Sequence, residues 1–210
     1  MLDSLCEKTS AFVAACHRAG RFGLLGYSSG NMSCRLGNGY VALSASGAWL
    51  GEIRSEQVAV CTLADARSVN GVKPTVETGI HLGILRGRED VNVVLHFQSP
   101  YATVLACGVQ LPERFDVIPE VPYYIGPVGV VEYLRPGSRE LADAVVAAAH
   151  EHDLVILRNH GQVVLGKDYN DAIAKAGFFE LACRVLVLRE RPAYIGPAGD
   201  LGAVDTAVKI

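Results

Sequence analysis

Glu77, His96 and His160 are the residues of this 210-residue chain whose types best suit joint chemistry. One carboxylate and two imidazoles are the ligand types of a catalytic zinc site that keeps a position open for substrate. His96 ends a β-branched run, and residues two apart on a strand face the same way, so His96 and Gln98 can look into one place. Taken singly, each residue also has an ordinary role. His96 could be a strand-end histidine bonded to backbone, His160 a corner residue in Asn159-His160-Gly161, and Glu77 an acid favoured at a helix N-terminus. His81 follows Glu77 by one helical turn and shares its face, either as a partner of Glu77 or as a packed ring; packing is the expectation.

The elements that must position these residues are legible from periodicity. Leu2 to Ala19 carries Leu5, Phe12, Val13 and Cys16 at helical spacing and meets Gly20, which reads as a C-cap. Asn31 to Arg35, Tyr40 to Ser44 and Val58 to Leu63 read as strands, the first two joined at Gly37-Asn38-Gly39. A helix is expected over Thr75 to Leu85 after Pro74, then a strand over Val91 to Phe97, broken at Ser99-Pro100. Tyr101 to Cys107 reads as a short helix. Leu111 to Gly137 holds five of the nine prolines, which predicts a loop region with short strands. Ser138 to His150 is a predicted helix, Leu154 to Arg158 and Gln162 to Leu165 are strands around Asn159-His160-Gly161, and Tyr169 to Glu190 is a long helix. The remaining tail is rich in Pro and Gly. Strands and helices mixed along the whole chain predict a layered α/β architecture in one domain, 1–210, and the hairpins argue against a purely parallel sheet.

Composition excludes several classes. The chain is 50% hydrophobic and 20% charged with a net charge of −3, and neither sign forms a block. Nucleic acid and membrane are therefore not expected partners. The N-terminal residues lack the positive-then-apolar order of a signal peptide, and no apolar run reaches the ~20 residues of a spanning helix, so a cytoplasmic location is expected. Six scattered cysteines without a C-x-x-C pair do not make a zinc finger or a disulfide scaffold. Gly161 to Lys167 imitates the start of a P-loop, but Asp168 replaces the magnesium-binding hydroxyl and the intervening residues look like a strand. Asn31-Met32-Ser33 fits a glycosylation sequon without a secretory context.

The succession Gly30-Asn31-Met32-Ser33-Cys34-Arg35, Ser46-Gly47, Lys73-Pro74-Thr75-Val76-Glu77, Val91 to Thr103 and Leu157-Arg158-Asn159-His160-Gly161 resembles the class II aldolase and adducin head family. Its L-fuculose-1-phosphate aldolase branch is the most similar. The resemblance runs from about residue 5 to residue 190. It implies a three-layer α/β/α fold with a mostly antiparallel central sheet, a homotetramer with sites between subunits, and a divalent metal, typically zinc. It assigns Glu77, His96 and His160 to metal ligation and puts Gln98 where the family has a third histidine. An amide oxygen is a harder and usually weaker zinc ligand than an imidazole nitrogen. It further implies a phosphate site at Asn31, Ser46, Gly47 and Thr75, with Val76 in place of a hydroxyl residue. Tyr123, in Val121-Pro122-Tyr123, falls where the family has an acid reaching the adjacent subunit, with Tyr124 beside it. The implied activity is that of a metal-dependent aldehyde-lyase, cleaving a ketose 1-phosphate to dihydroxyacetone phosphate and an aldehyde. Glu77 is then both metal ligand and proton shuttle. Epimerases and dehydratases of the same fold, or a non-catalytic adducin-like binding module, are the alternatives. The epimerases commonly carry an Asp at the position of Glu77, which favours the aldolase.

Overall fold

The computed structural model describes residues 2–189, with side chains from Lys8 onward. Its single sheet contains seven strands: β1 (Asn31–Gly37), β2 (Tyr40–Ser44), β3 (Val58–Thr62), β4 (Val93–Phe97), β5 (Val128–Val131), β6 (Leu154–Leu157) and β7 (Gly161–Gly166). Their order is β3-β2-β1-β4-β7-β6-β5, and every neighbouring pair is antiparallel except β5 with β6. That one parallel pair is joined by a crossover helix, as parallel strands require. The helices are α1 (Leu2–Arg21), α2 (Thr78–Gly87), α3 (Pro100–Ala106), α4 (Arg139–Ala149) and α5 (Tyr169–Arg189).

Strand alternation splits the core in two. Val93, Leu95 and Phe97 of β4 join a cluster with Phe12 and Cys16 of α1, Ala102 of α3 and Phe179 of α5. Val94 faces the opposite cluster with Ile80, Leu82 and Leu85 of α2 and Leu141 and Val145 of α4. The fold is thus the expected three-layer α/β/α arrangement around a mostly antiparallel sheet. No helix of the described residues is long and apolar enough to cross a membrane. The P-loop imitation at Gly161 to Gly166 is a strand throughout.

Two boundaries differ from expectation for a clear physical reason. α1 runs through Gly20, whose bare Cα lets the helix approach the backbone of Gly51; a Cβ there would stand 2.8 Å from the Gly51 Cα. The helix instead closes on Gly23 at φ +71°, with Leu24 N–H donating to Ala19 O and Gly23 N–H to Gly20 O, the paired bonds of a Schellman motif. α2 begins at Thr78 rather than Thr75, because Lys73 to Thr75 is drawn alongside the end of β2: Pro74 bridges Ala45, and Thr75 N–H donates to Ser44 O at 2.9 Å. Within the proline-rich region, Val121–Ile125 forms a π-helical turn before β5. Glu190 and the Pro/Gly-rich tail lie outside the described residues.

Candidate metal centre

The site lies where β4 ends, β1 begins, α2 starts and β6 turns into β7. Antiparallel pairing sets Asn31 opposite His96 and, on the other side of β4, Val163 opposite His96. Two glycines permit this crowding. A Cβ on Gly30, which has φ +87°, would meet His96 O at 2.7 Å, and one on Gly161 would meet Phe97 O at 2.7 Å. Asn159, at φ +54°, makes the corner that turns His160 toward β4. Glu77 occupies the N-cap position of α2.

These elements bring together the three ligand candidates read from the sequence. The possible ligand atoms of Glu77, His96 and His160 lie within 4.8 Å of one another. His96 Nε2 is 3.6 Å from Glu77 Oε2, and His160 Nε2 is 3.5 Å from Glu77 Oε1. Both are too long for a hydrogen bond. They are, however, close to the ~3.4 Å that separates two ligand atoms each about 2.1 Å from a tetrahedral ion. His96 Nδ1–H donates to Gln162 O at 2.9 Å, which leaves Nε2 as the ring atom that faces the carboxylate. Glu77 Oε1 and His160 Nδ1 are buried without a hydrogen-bond partner. A carboxylate faced by imidazole nitrogens, without a proton shared between them, is a donor set suited to a divalent cation.

Hydrogen bonds tie this set to the sheet. Asn31 Nδ2 donates to Glu77 Oε2 at 2.8 Å, His81 Nε2 meets Asn31 Oδ1 at 2.5 Å, and His81 Nδ1 meets Ser33 Oγ at 2.8 Å. Burial raises the Glu77 carboxyl, but His96, the Asn31 bond, His160 and His81 together outweigh it and hold the group below its ordinary value. Complete burial, only partly offset by Glu77, pushes His81 down from 6.5 to about 3. His160 is also lowered, by burial and then by His96. Neutral imidazoles are the form that binds a metal.

Gln98 is half-buried, and its Cγ would stand 2.8 Å from a Cβ on Gly161, with His96 Cε1 at 3.1 Å from the same point. The stem of Gln98 therefore runs beside His96 at the His160-Gly161 corner. Backbone pairing links several of the phosphate candidates. Ser46 N–H donates to Lys73 O, Thr75 is tied to Ser44, and Ser44 Oγ accepts from Met32 N–H beside Asn31. Ser46 and Gly47 are exposed, whereas Thr75 is buried with its Oγ1 accepting from Glu77 N–H at 3.3 Å. Asn31 differs from a plain anion ligand: its oxygen is committed to His81 and one N–H to Glu77, which leaves one N–H.

Tyr123 is not brought to this group within one chain. Its π-helical turn is anchored by buried Val121 and Ile125 on the α1/α3/α5 face, whereas Glu77 enters from α2 on the other. Tyr123 is 79% exposed and packs edge-on against Tyr124, which stacks on Phe178 of α5. Sequence reasoning missed Ser33 and the Gln162 carbonyl, and for His81 it favoured packing over a partnership with Glu77. Asn31 and Ser33, two apart on one strand, carried a usable signal for the first; a backbone carbonyl carries none.

Fold and site together define a three-layer α/β/α protein with buried Glu77 and His96 and half-buried His160 grouped as candidate metal ligands at one end of a mostly antiparallel sheet. The chain belongs to the Class II Aldolase and Adducin N-terminal domain family, whose family model matches residues 10–187. Among relatives, 3-oxo-tetronate 4-phosphate decarboxylase of Pectobacterium atrosepticum is 33% identical over 148 residues, covering 69% of this chain and 67% of that protein. L-fuculose phosphate aldolase of Methanocaldococcus jannaschii is 33% identical over 162 residues, covering 77% and 85%. The crystal structure of YgbL from Klebsiella pneumoniae, whose own reaction is left open among aldolase, epimerase and decarboxylase, superposes with a TM-score of 0.81 at 27% identity, covering 93% of this chain and 96% of that one.

Proposed function

We propose that this chain is a metal-dependent aldehyde-lyase that cleaves a phosphorylated ketose, of the L-fuculose 1-phosphate kind, to dihydroxyacetone phosphate and an aldehyde. The observation that carries this reading is the Glu77 carboxylate set between His96 and His160 at 3.6 and 3.5 Å, beside a cluster of uncharged donors. A divalent ion, zinc by the character of these ligands, would be held by Glu77, His96 and His160 with Gln98 at the fourth position, and supplies the Lewis acid that polarises a carbonyl.

The remaining work falls to the chain itself. Ser46, Gly47, Thr75 and the spare N–H of Asn31 bind the phosphate without Lys or Arg, helped by the positive end of α2. Glu77 Oε1, the oxygen without a hydrogen bond, moves the proton at the carbon that keeps the bonding electrons. In cleavage Tyr123 takes the proton from the hydroxyl that becomes the aldehyde oxygen, and gives it back in condensation, in the site of a neighbouring copy, consistent with its exposure. This role requires an assembly with sites between subunits, and a homotetramer is the one proposed.

Decarboxylation of a 3-oxo sugar-acid phosphate is the second reading. The Pectobacterium relative favours it, as does the separation of Tyr123 from Glu77, because loss of carbon dioxide forms no aldehyde and so requires no group to take a hydroxyl proton. The deciding experiment offers the purified protein L-fuculose 1-phosphate and 3-oxo-tetronate 4-phosphate, each with and without chelator. Release of dihydroxyacetone phosphate together with an aldehyde from L-fuculose 1-phosphate, abolished by a chelator and restored by zinc, supports the aldolase. Chelator-sensitive carbon dioxide release selects the second reading, and turnover of neither substrate overturns both.

A further inference from the structure

The geometry points to His81 as a positioning residue that, through Asn31, assigns different jobs to the two oxygens of Glu77. The inference deepens the metal-dependent lyase reading and rests on its ligand set. His81 is completely buried, and both of its ring nitrogens are engaged. The direction of the chain of bonds follows from what each end can do. Glu77 Oε2, as a carboxylate oxygen, can only accept, so the Asn31 atom 2.8 Å away is the amide nitrogen. Asn31 must then present Oδ1 to His81, which must donate from Nε2–H. His81 Nδ1 is left as an acceptor, and the Ser33 hydroxyl donates to it. Ser33, His81, Asn31 and Glu77 form a relay with one self-consistent set of hydrogen positions.

Its consequence is asymmetry at Glu77. Oε2 is held by an amide N–H and faces His96, while Oε1 has no hydrogen bond and faces His160. A carboxylate fixed through one oxygen presents the other at a set place, ready to hold a cation or take a proton. An amide that could rotate would sometimes turn its oxygen on Oε2 and repel the carboxylate. His81 removes that freedom, since Nε2–H admits only the oxygen of Asn31. A ring in this place that served only to fill space would need neither nitrogen.

The test compares two replacements of His81 and measures metal binding without substrate, by titrating the metal-free protein with zinc and, separately, cobalt. His81→Gln keeps a donor and an acceptor about as far apart as the two ring nitrogens; His81→Leu keeps bulk and removes both. The expected result is a 10- to 100-fold loss of affinity in His81→Leu, the range typical of partners behind metal ligands, with His81→Gln restored to within about threefold of the parent. Equal affinity in His81→Leu and parent overturns the inference, and so does an equal loss in both variants, which would mark the ring's shape as what matters. If His81→Leu does not fold, Ser33→Ala carries the test: it frees the tautomer of His81, a several-fold loss is expected, and no change is fatal. Substrate cleavage is scored separately. A relay effect on metal binding in a protein that cleaves neither sugar phosphate refutes the lyase reading and leaves the relay standing.

Discussion

Each oxygen of Glu77 has its own histidine, and the residues around that carboxylate decide what can be altered cleanly. Asn31 touches both Glu77 and the phosphate region, so Asn31→Ala should weaken metal retention and raise the concentration of phosphorylated substrate needed. Ser46 is exposed and its backbone hydrogen bond runs to Lys73, not to Glu77, so Ser46→Ala should raise KM by about tenfold, the worth of one hydrogen bond to a charged group, while metal content stays unchanged. Metal analysis beside steady-state kinetics separates the two effects. At the Gln98 position, Gln98→His replaces an amide with an imidazole beside His96 and should slow zinc loss to a chelator without abolishing activity; an unchanged rate of loss would mean that Gln98 does not reach the ion. His81 also leaves a mark on stability. Unfolding returns it to a pKa of 6.5 from about 3, so below 6.5 the unfolded state binds the extra proton and folding loses ground as pH falls. The slope approaches about 1.4 kcal/mol per pH unit between those values. Denaturant melts of the parent and of His81→Gln should therefore diverge steadily from pH 6 to pH 4, and parallel curves would refute the assignment.

At the scale of elements, close approach of backbones positions the ligands. β7 meets the end of β4 only because Gly161 has no Cβ, and the same contact sets the corner that carries His160. Gly161→Ala would place a methyl group 2.7 Å from Phe97 O and 2.8 Å from Gln98 Cγ. Something must shift, at a cost of about 1–3 kcal/mol, and the corner Arg158 to His160 adjoins the clash. The expected outcome is a lowered melting temperature together with lost metal affinity. A variant that is destabilised yet binds zinc like the parent would show that the corner does not depend on this contact. Periodicity revealed α1 but not its end, because Gly20 resembles a stop signal in sequence and is used instead for contact with Gly51. Thr75 looked helical because Pro74 precedes it, whereas the pull of β2 through Ser44 and Ala45 keeps it extended and leaves Glu77 at the helix entrance.

At the scale of the whole molecule, the sheet separates two groups that the proposed chemistry must unite. The candidate metal ligands lie toward α2 and α4, while Tyr123 stands on the side of α1, α3 and α5. If Tyr123 serves a neighbouring copy, Tyr123→Phe should lower turnover by about a hundredfold, within the range of a lost acid–base group. Glu77→Gln should be inactive as well. Mixing the two variants under conditions that exchange subunits should then restore activity, since a hybrid assembly contains sites with a native Glu77 from one chain and a native Tyr123 from another. Mixed samples that stay as inactive as their parents would place the acid–base group elsewhere or in the same chain.

The sequence by itself determined the donor types, the elements that carry them and the family. Alternation along Val91 to Phe97 is strictly local, so it already told which strand positions share a face, and the motif order from Gly30 to Gly161 spans the fold. Only the tertiary structure decided which atoms meet. Asn31 and Glu77 are 46 positions apart, and His96 and the Gln162 carbonyl are 66 apart. Their pairing depends on β1, β4 and β7 lying side by side in an order that is not the order of the chain. Local spacing could therefore name Asn31 as a polar residue near a turn, but not commit its amide to Glu77. It could place His81 on the same helix face as Glu77, but not show that a partner on another strand uses both nitrogens of the ring.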